Sequence, residues 1–290
     1  MDYFIHIIIL INIYVILATS TNLLVGLGNM LSLGQAAFYG IGAYLSVAAL
    51  MIFNWSLLPA LLFAMLGTGI ISLIIAYPSL RLKGDYFVLA TLGFQLIVFT
   101  ALYNWVSVTR GPFGIPGIPS PRLWPGLDIS GPWPFLILSS IFSILVVLVF
   151  AGLIYSPFGR ALRGIRDDEL SMKALGKNVT SFKIQAFCIS SAFIAIAGFL
   201  YATYVSYIDP TSFTLDESIF ILTALIVGGL GNIKGPVIGA VFVVILPEAL
   251  RFVGLPDSIA ANVRQILYGL ALIILMNYRP QGLAGNYSIK

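Results

Sequence analysis

Nine apolar runs follow one another along this chain, at roughly 3–24, 36–53, 57–77, 85–103, 133–155, 182–205, 217–230, 236–253 and 263–277, with few charges inside them. That pattern leaves few folds open. A water-soluble core stops growing beyond roughly 250–300 residues. A chain of 290 residues that is 59% hydrophobic and 9% charged therefore needs lipid as the solvent for most of its surface. At about 20 residues per span, the length allows about eight to ten helices. The expected fold is all-α: a polytopic membrane helical bundle forming a single domain over 1–290, with transmembrane or re-entrant helices. The seventh run is short. The first lacks a basic leader and an Ala-x-Ala cleavage pattern, so it reads as a retained helix and not a cleaved signal.

Lys and Arg set orientation. One arrangement places Arg81, Lys83, Arg160, Arg163, Arg166, Lys173, Lys177, Lys183, Lys234, Arg279 and Lys290 on one side, against Arg110, Arg122, Arg251 and Arg264 on the other. The richer side is expected to be cytoplasmic, with the C-terminus there and, for nine spans, the N-terminus outside. The net charge of +4 thus reflects topology and membrane lipid, not nucleic acid.

Two loops stand out. The outer one, 104–132, is rich in Gly and Pro and is expected to be stiff and irregular, not helical. Its Trp105 and Trp124, with Trp133 just after it, suit the headgroup layer. The inner one, 156–181, has helix grammar. Pro157 suits a first turn. Ala161, Leu162 and Ile165 share a face, with Arg160, Arg163 and Arg166 largely elsewhere. Asp167, Asp168 and Glu169 favour the start of a second short helix, Gly176 its end, and Thr180 or Ser181 can cap the next long helix. Two amphipathic helices exceed what topology needs and read as a docking surface.

Gly26-Leu27-Gly28-Asn29 recurs as Gly229-Leu230-Gly231-Asn232, each followed by a Gly-rich apolar run. On the expected topology both lie on one side, which suggests a parallel repeat of two halves; chance in a Gly-rich chain is the competing reading. Interrupted segments at matching places point to a transport pathway. Ala36, Gly40, Gly42 and Ala43, and again Gly235, Gly239 and Ala240, allow close helix contact. Ordinary tight packing explains them as well as a narrow cavity does. Asn29, Ser32, Gly34, Gln35 and Asn232 are the candidate pathway residues.

Catalytic equipment is not visible. His6 and Cys188 are single residues of their kinds, which excludes an intrachain disulfide and the usual three- or four-ligand zinc sites; His6 reads as an interface residue. No Gly-x4-Gly-Lys-[Ser/Thr] occurs, so this chain cradles no ATP in a P-loop. Asp85, Asp209, Asp216, Glu217 and Asp257 fall at segment ends, and Glu248 can pair with Arg251 one turn on, so a proton relay is not expected.

At this point several motifs align with a known family. Ser156-Pro157-Phe158-Gly159-Arg160-Ala161-Leu162-Arg163-Gly164-Ile165-Arg166-Asp167-Asp168-Glu169, followed by Ala174-Leu175-Gly176, resembles the coupling segment of LivM-type permeases of branched-chain amino acid ABC importers. Residues 31–44, Gly84-Asp85-Tyr86-Phe87, residues 110–119 and residues 228–240 resemble further family motifs, in order, across roughly 14–282. Asp209-Pro210 stands where Ser-Pro is common, and Gly164 where Ala is common.

The resemblance implies a non-catalytic permease of a bacterial or archaeal cytoplasmic (inner) membrane, forming half of a path for leucine, isoleucine or valine. It implies a second homologous permease, two cytoplasmic ATPases that use ATP and Mg, and an extracytoplasmic binding protein. Gly159, Arg160, Arg163, Ile165, Arg166, Asp167, Asp168, Glu169, Leu175 and Gly176 are then the ATPase-coupling residues. Arg110, Gly111, Pro112, Gly114 and Asp209 are the binding-protein contacts. No cofactor or metal is expected on this chain. A permease for urea or an amide, a stand-alone channel and a secondary transporter are the competing readings.

Overall fold

The computed structural model describes residues 2–251 apart from 83, 125, 126 and 130, together with 263, 266, 269, 270 and 281–284. The side chains of 123–128 and 249–251 lie outside that description, as do Lys83, Asp257, Arg264, Arg279, Lys290 and most of the ninth apolar run. Eight runs become helices within a few residues of their expected bounds. These are α1 (Asp2–Asn22), α2 (Gln35–Met51), α3 (Leu57–Ser79), α4 (Asp85–Asn104), then α6 (Pro132–Tyr155), α9 (Val179–Val205), α10 (Leu215–Gly228) and α11 (Lys234–Arg251). Five helical stretches, with α1 extended to Leu27, are long and apolar enough to cross a membrane. The short α7 (Pro157–Asp167) and α8 (Glu169–Ala174) fill the basic loop as expected.

The Gly/Pro-rich loop is more ordered than its composition predicts. It holds a one-turn helix, α5 (Val106–Thr109), a 3₁₀ turn (Gly111–Phe113), and strands β1 (Ile115–Pro116), β2 (Arg122–Trp124) and β3 (Leu127–Asp128). The helix forms because Thr109 Oγ1 donates to the carbonyls of Leu102 and Trp105, closing the turn without help from the prolines. β2 pairs with β3, and β1 with β4 (Tyr207–Ile208), both antiparallel. Trp105 and Trp133 are exposed at this end.

Helix α9 is the central post, packed on α1, α2 and α3. Lipid tails are as apolar as Leu, so association inside a membrane depends on close packing and small residues. The small-residue faces serve that purpose. A Cβ at Gly42 would sit 2.5 Å from Ala195 Cα, and one at Gly198 2.5 Å from the Tyr39 carbonyl, so α2 and α9 touch backbone to backbone. Helices α10 and α11 do the same: a Cβ at Gly239 would lie 1.7 Å from the Ala224 carbonyl. The outward faces of α3 and α6 carry Leu58, Leu62, Leu66, Ile70, Ile137, Ile141, Ile144 and Leu148, all exposed and suited to lipid or an apolar partner.

Helix α1 fixes the frame. At its start Tyr3 donates to Glu248 near the end of α11, and His6 Nδ1 lies 2.7 Å from the Tyr204 hydroxyl. The expected Glu248–Arg251 pair falls on a side chain outside the described residues. At its other end α1 loosens into a π-helical stretch, Leu23–Leu27, and the chain runs non-helical to α2. The two echoed tetrapeptides meet here. Asn22 Oδ1 accepts the Gly231 N–H at 3.1 Å, and Asn22 Nδ2 donates to the Asn232 carbonyl at 2.7 Å. A Cβ at Gly26 would stand 2.7 Å from Gly231 N.

Candidate functional site

The first candidate site is the basic loop. Ser156 caps α7, its Oγ accepting the Gly159 N–H at 3.3 Å. Gly159 is buried where a Cβ would come 2.3 Å from the Leu153 carbonyl, so α7 presses directly onto the end of α6. Leu162 and Ile165 face inward and are buried. Ala161, expected on that face, is only partly covered. Gly164 admits Met172 of α8: a Cβ there would lie 2.8 Å from its Sδ. An Ala at this position would require the flexible end of Met172 to shift.

The arginines bind this chain's own backbone. Arg160 Nη1 donates to the Tyr155 carbonyl at 2.8 Å, and Arg163 Nη2 to that of Ile154 at 2.6 Å. Cations are favourable at a helix C-terminus, where carbonyls lack intrahelical partners. Arg166 Nη1 reaches the Gly26 carbonyl at 3.0 Å, and its Nε meets Asp167 at 2.9 Å.

Asp168 caps α8, accepting from the N–H groups of Leu170 and Ser171 and from the Ser171 hydroxyl. Those bonds hold its carboxyl below the usual range, the Ser171 hydroxyl first. Glu169 receives Lys173 and Lys183 at 2.7 Å each. The hydrogen bond from Lys173, then that from Lys183, brings its pKa down to about 2. Gly176 takes a positive φ of 75° as its N–H closes on the Lys173 carbonyl. The next long helix is capped by Asn178, whose Oδ1 accepts the Ser181 N–H. Thr180 and Ser181 instead fall inside the first turn.

Leu175 is 74% exposed and Leu170 76% exposed. Sequence reasoning missed Leu170. It weighed the loop by its charges, and only the docking of α8 shows which apolar side chains remain free.

The second candidate site lies where α2 begins. Ser32 and Gly34 lie against α4, with Gln35 next in the chain. Ser32 Oγ accepts the Gly34 N–H at 3.3 Å, Thr91 Oγ1 accepts from Leu33 N at 3.1 Å, and Gln95 Oε1 accepts from Ala37 N at 2.6 Å. Gln95 Nε2 in turn donates to the Phe213 carbonyl at 2.8 Å, and Ser218 Oγ accepts the Ala36 N–H at 2.9 Å. Gln35 is fully buried, and neither its amide oxygen nor its nitrogen has a partner. Thr91, Gln95 and Ser218 were not expected from sequence, because isolated polar residues inside apolar runs look alike whether they face a neighbour or a path. Asn29 and Asn232 do not join this cluster by any hydrogen bond among the described residues. Asn29 is exposed with φ 51°. Asn232 bonds Gly235 N at 2.7 Å and the Ala284 carbonyl, both just past the C-terminal end of α10 and away from this cluster.

The third cluster is the loop surface. Arg110 (φ 58°) and Gly111 (φ 55°) turn the chain, Pro112 is exposed, and Gly114 is seated on Tyr207 and Ile208, where a Cβ would find 2.5 Å and 2.6 Å. Asp209 caps the 3₁₀ turn Pro210–Phe213 through Ser212 N at 3.1 Å, a task that Ser also performs. The β1–β4 pairing sets Gly114 near Asp209, with Arg110 and Pro112 exposed and Gly111 and Gly114 buried beneath the loop.

Among the described residues no group of His, Cys, Asp and Glu could hold a metal. A family model described as "Branched-chain amino acid transport system / permease component" matches residues 3–276. The high-affinity branched-chain amino acid transport permease LivM of Salmonella typhimurium is 34% identical over 93% of this chain and 67% of that protein. The probable LivM of Methanocaldococcus jannaschii is 30% identical over 78% and 68%, and the LivH permease of Salmonella typhimurium 25% identical over 96% and 92%. No solved structure matches. With most of its length matched and its helices in place, the chain belongs to the branched-chain amino acid transport system permease family.

Proposed function

We propose that this chain forms half of the membrane path of an ATP-driven importer of leucine, isoleucine and valine. The observation that carries the reading is α8. Its exposed Leu170, and Leu175 just after its last residue, stand on a frame locked by Asp168, Glu169 and two lysines, and large apolar groups on a rigid polar platform suit a protein partner. The partner we assign is a cytoplasmic ATPase that binds and hydrolyses ATP with Mg; this chain takes no catalytic part. Likeness to both LivM and LivH supports pairing with a second, homologous permease. The surface of Arg110, Gly111, Pro112, Gly114 and Asp209 receives an extracytoplasmic binding protein. The basic end of the bundle and the C-terminus face the cytoplasm of a bacterial or archaeal cell.

Motion then passes from ATPase to path through short connections. Closure of the ATPase pair moves α8 and α7, and Arg166 carries that displacement to the junction of Gly26, Asn22 and Gly231. The packed helices respond as rigid bodies. Co-purification from the native membrane tests the assignment. A second apolar permease and two P-loop proteins are the expected companions; the chain alone, under gentle conditions, would overturn it.

A further inference from the structure

Helix α10 begins in the middle of the bundle, not at a membrane surface. Ser218 meets the start of α2, and Tyr14 Oη donates to Glu217 Oε1 at 2.7 Å. At 1.5 Å per residue Tyr14 lies about 18 Å along α1 from Asp2, near the middle of a hydrocarbon layer about 30 Å thick. Glu217 stands at a segment end, as its sequence position indicates, but that end lies beside the middle of α1, with Glu217 part-buried and Asp216 next to it exposed. Among the described residues no Lys or Arg pairs with it. A carboxylate at such depth is costly unless it has a cationic partner.

Its surroundings describe that partner. Tyr39 and Tyr201 stand against Phe213 in the turn that leads into α10. Their rings are 5.6 Å apart and pack on Phe213 at 5.0 Å and 6.0 Å. A carboxylate near a group of aromatic side chains complements an organic ammonium, which both attract. The buried, unpartnered Gln35 amide is next in sequence to Ala36, which Ser218 holds. Buried polar groups are costly when unbonded, and a polar solute in passage would satisfy them.

We propose that Glu217, Tyr14, Tyr39 and Tyr201 form a transient site for the primary ammonium group of the transported solute, with Gln35 taking a second polar group of the same molecule. The proposal rests on the amino-acid permease reading and names the group of the substrate that this chain recognises.

The test uses the purified importer complex in lipid nanodiscs and 3-methylbutylammonium, which carries a leucine-like chain and an ammonium but no carboxylate. Labelling of Glu217 by dicyclohexylcarbodiimide is followed by mass spectrometry of the tryptic or chymotryptic peptides. Saturating amine is expected to slow labelling about tenfold, a ratio set by site occupancy, whereas 4-methylpentanoate leaves it unchanged. Equal labelling with and without the amine overturns the proposal. Glu217→Gln keeps the shape and an acceptor for Tyr14. Where that complex assembles, leucine uptake is expected to fall at least about tenfold; undiminished uptake overturns the proposal. Where it does not assemble, the wild-type labelling decides. A wild-type complex that takes up no leucine while the amine still protects Glu217 sinks the substrate assignment and leaves the ammonium site standing.

Discussion

The guanidinium of Arg166 in α7 donates to the main-chain carbonyl of Gly26 at 3.0 Å, joining the basic loop to the interrupted end of α1. Gly26 in turn stands against Gly231. One side chain therefore links a surface loop to the place where the two echoed segments touch.

Arg166→Ala removes that link and leaves the Gly26 carbonyl without its side-chain donor. The complex is expected to assemble while leucine uptake per ATP hydrolysed falls at least about tenfold, since hydrogen bonds to charged groups contribute about 1.5–3 kcal/mol. Arg166→Lys restores the charge but not the fork that serves Gly26 and Asp167 together, and is expected to rescue only in part. Uptake and hydrolysis measured in the same proteoliposomes decide it; unchanged coupling in both variants would falsify the link.

Leu170→Ala and Leu175→Ala test the opposite face of the same loop. Both side chains are exposed here, so neither substitution disturbs the permease fold. Burying a Leu side chain in a partner contributes about 1.5–3 kcal/mol, so each variant is expected to retain roughly a tenth or less of the bound ATPase. The readout is ATPase recovered per permease on affinity purification, with membrane insertion unchanged. Full recovery in the double variant would remove α8 from the docking surface.

Much of this organisation is legible in the residues. Apolar length specifies eight helices to within a few positions, and Pro157, Asp168 and Gly176 mark helix ends through chemistry that acts within one turn. Contacts between distant segments are not legible in the same way. Glu217 looked superficial because a helix end was equated with a membrane surface, and only the packing of α10 beside Tyr14 shows a helix starting at depth. Gln95 and Thr91 sit in an apolar run whose periodicity does not say that both face the break before α2. The arginines illustrate the same limit. Their positions suggested a partner, but three of them spend hydrogen bonds on carbonyls of this chain.

Gln95→Leu preserves volume and deletes the junction of α2, α4 and the turn before α10. It leaves the Ala37 N–H and the Phe213 carbonyl without their partner in a buried setting. Each unsatisfied group costs about 1–3 kcal/mol, so a loss of about 2–6 kcal/mol is expected, large beside typical net stabilities. Thermal unfolding in detergent, followed by the fraction remaining monodisperse, should shift clearly downward. Gln95→Glu, which keeps an acceptor for Ala37 but loses the donor to Phe213, should fall between. A melting curve identical to wild type for Gln95→Leu would show that water or another side chain takes over both bonds.

Glu169 supplies part of the pH dependence of the docking loop, beside the Asp168 cap. Its carboxyl titrates at about 2 in the folded protein, against about 4.3 for an unperturbed Glu. The depressed value means that the folded loop prefers the ionised form. Its contribution is therefore complete above the ordinary carboxylate range and is lost as pH falls from about 4.3 towards 2. Glu169 and Lys173 are both substantially exposed, so solvent screening limits the contribution to no more than about 1 kcal/mol. Amide hydrogen exchange in α8 is expected to accelerate by up to about fivefold, after correction for the intrinsic pH effect, as pH is lowered through that window. Glu169→Gln should show the faster exchange already at pH 7 and a smaller further change on acidification than wild type, the remainder being the loss of the Asp168 cap, whose carboxyl is also held low. Equal protection of wild type and Glu169→Gln at pH 7 would mean that Asp168 and the packing of Met172 against Gly164 hold α8 by themselves.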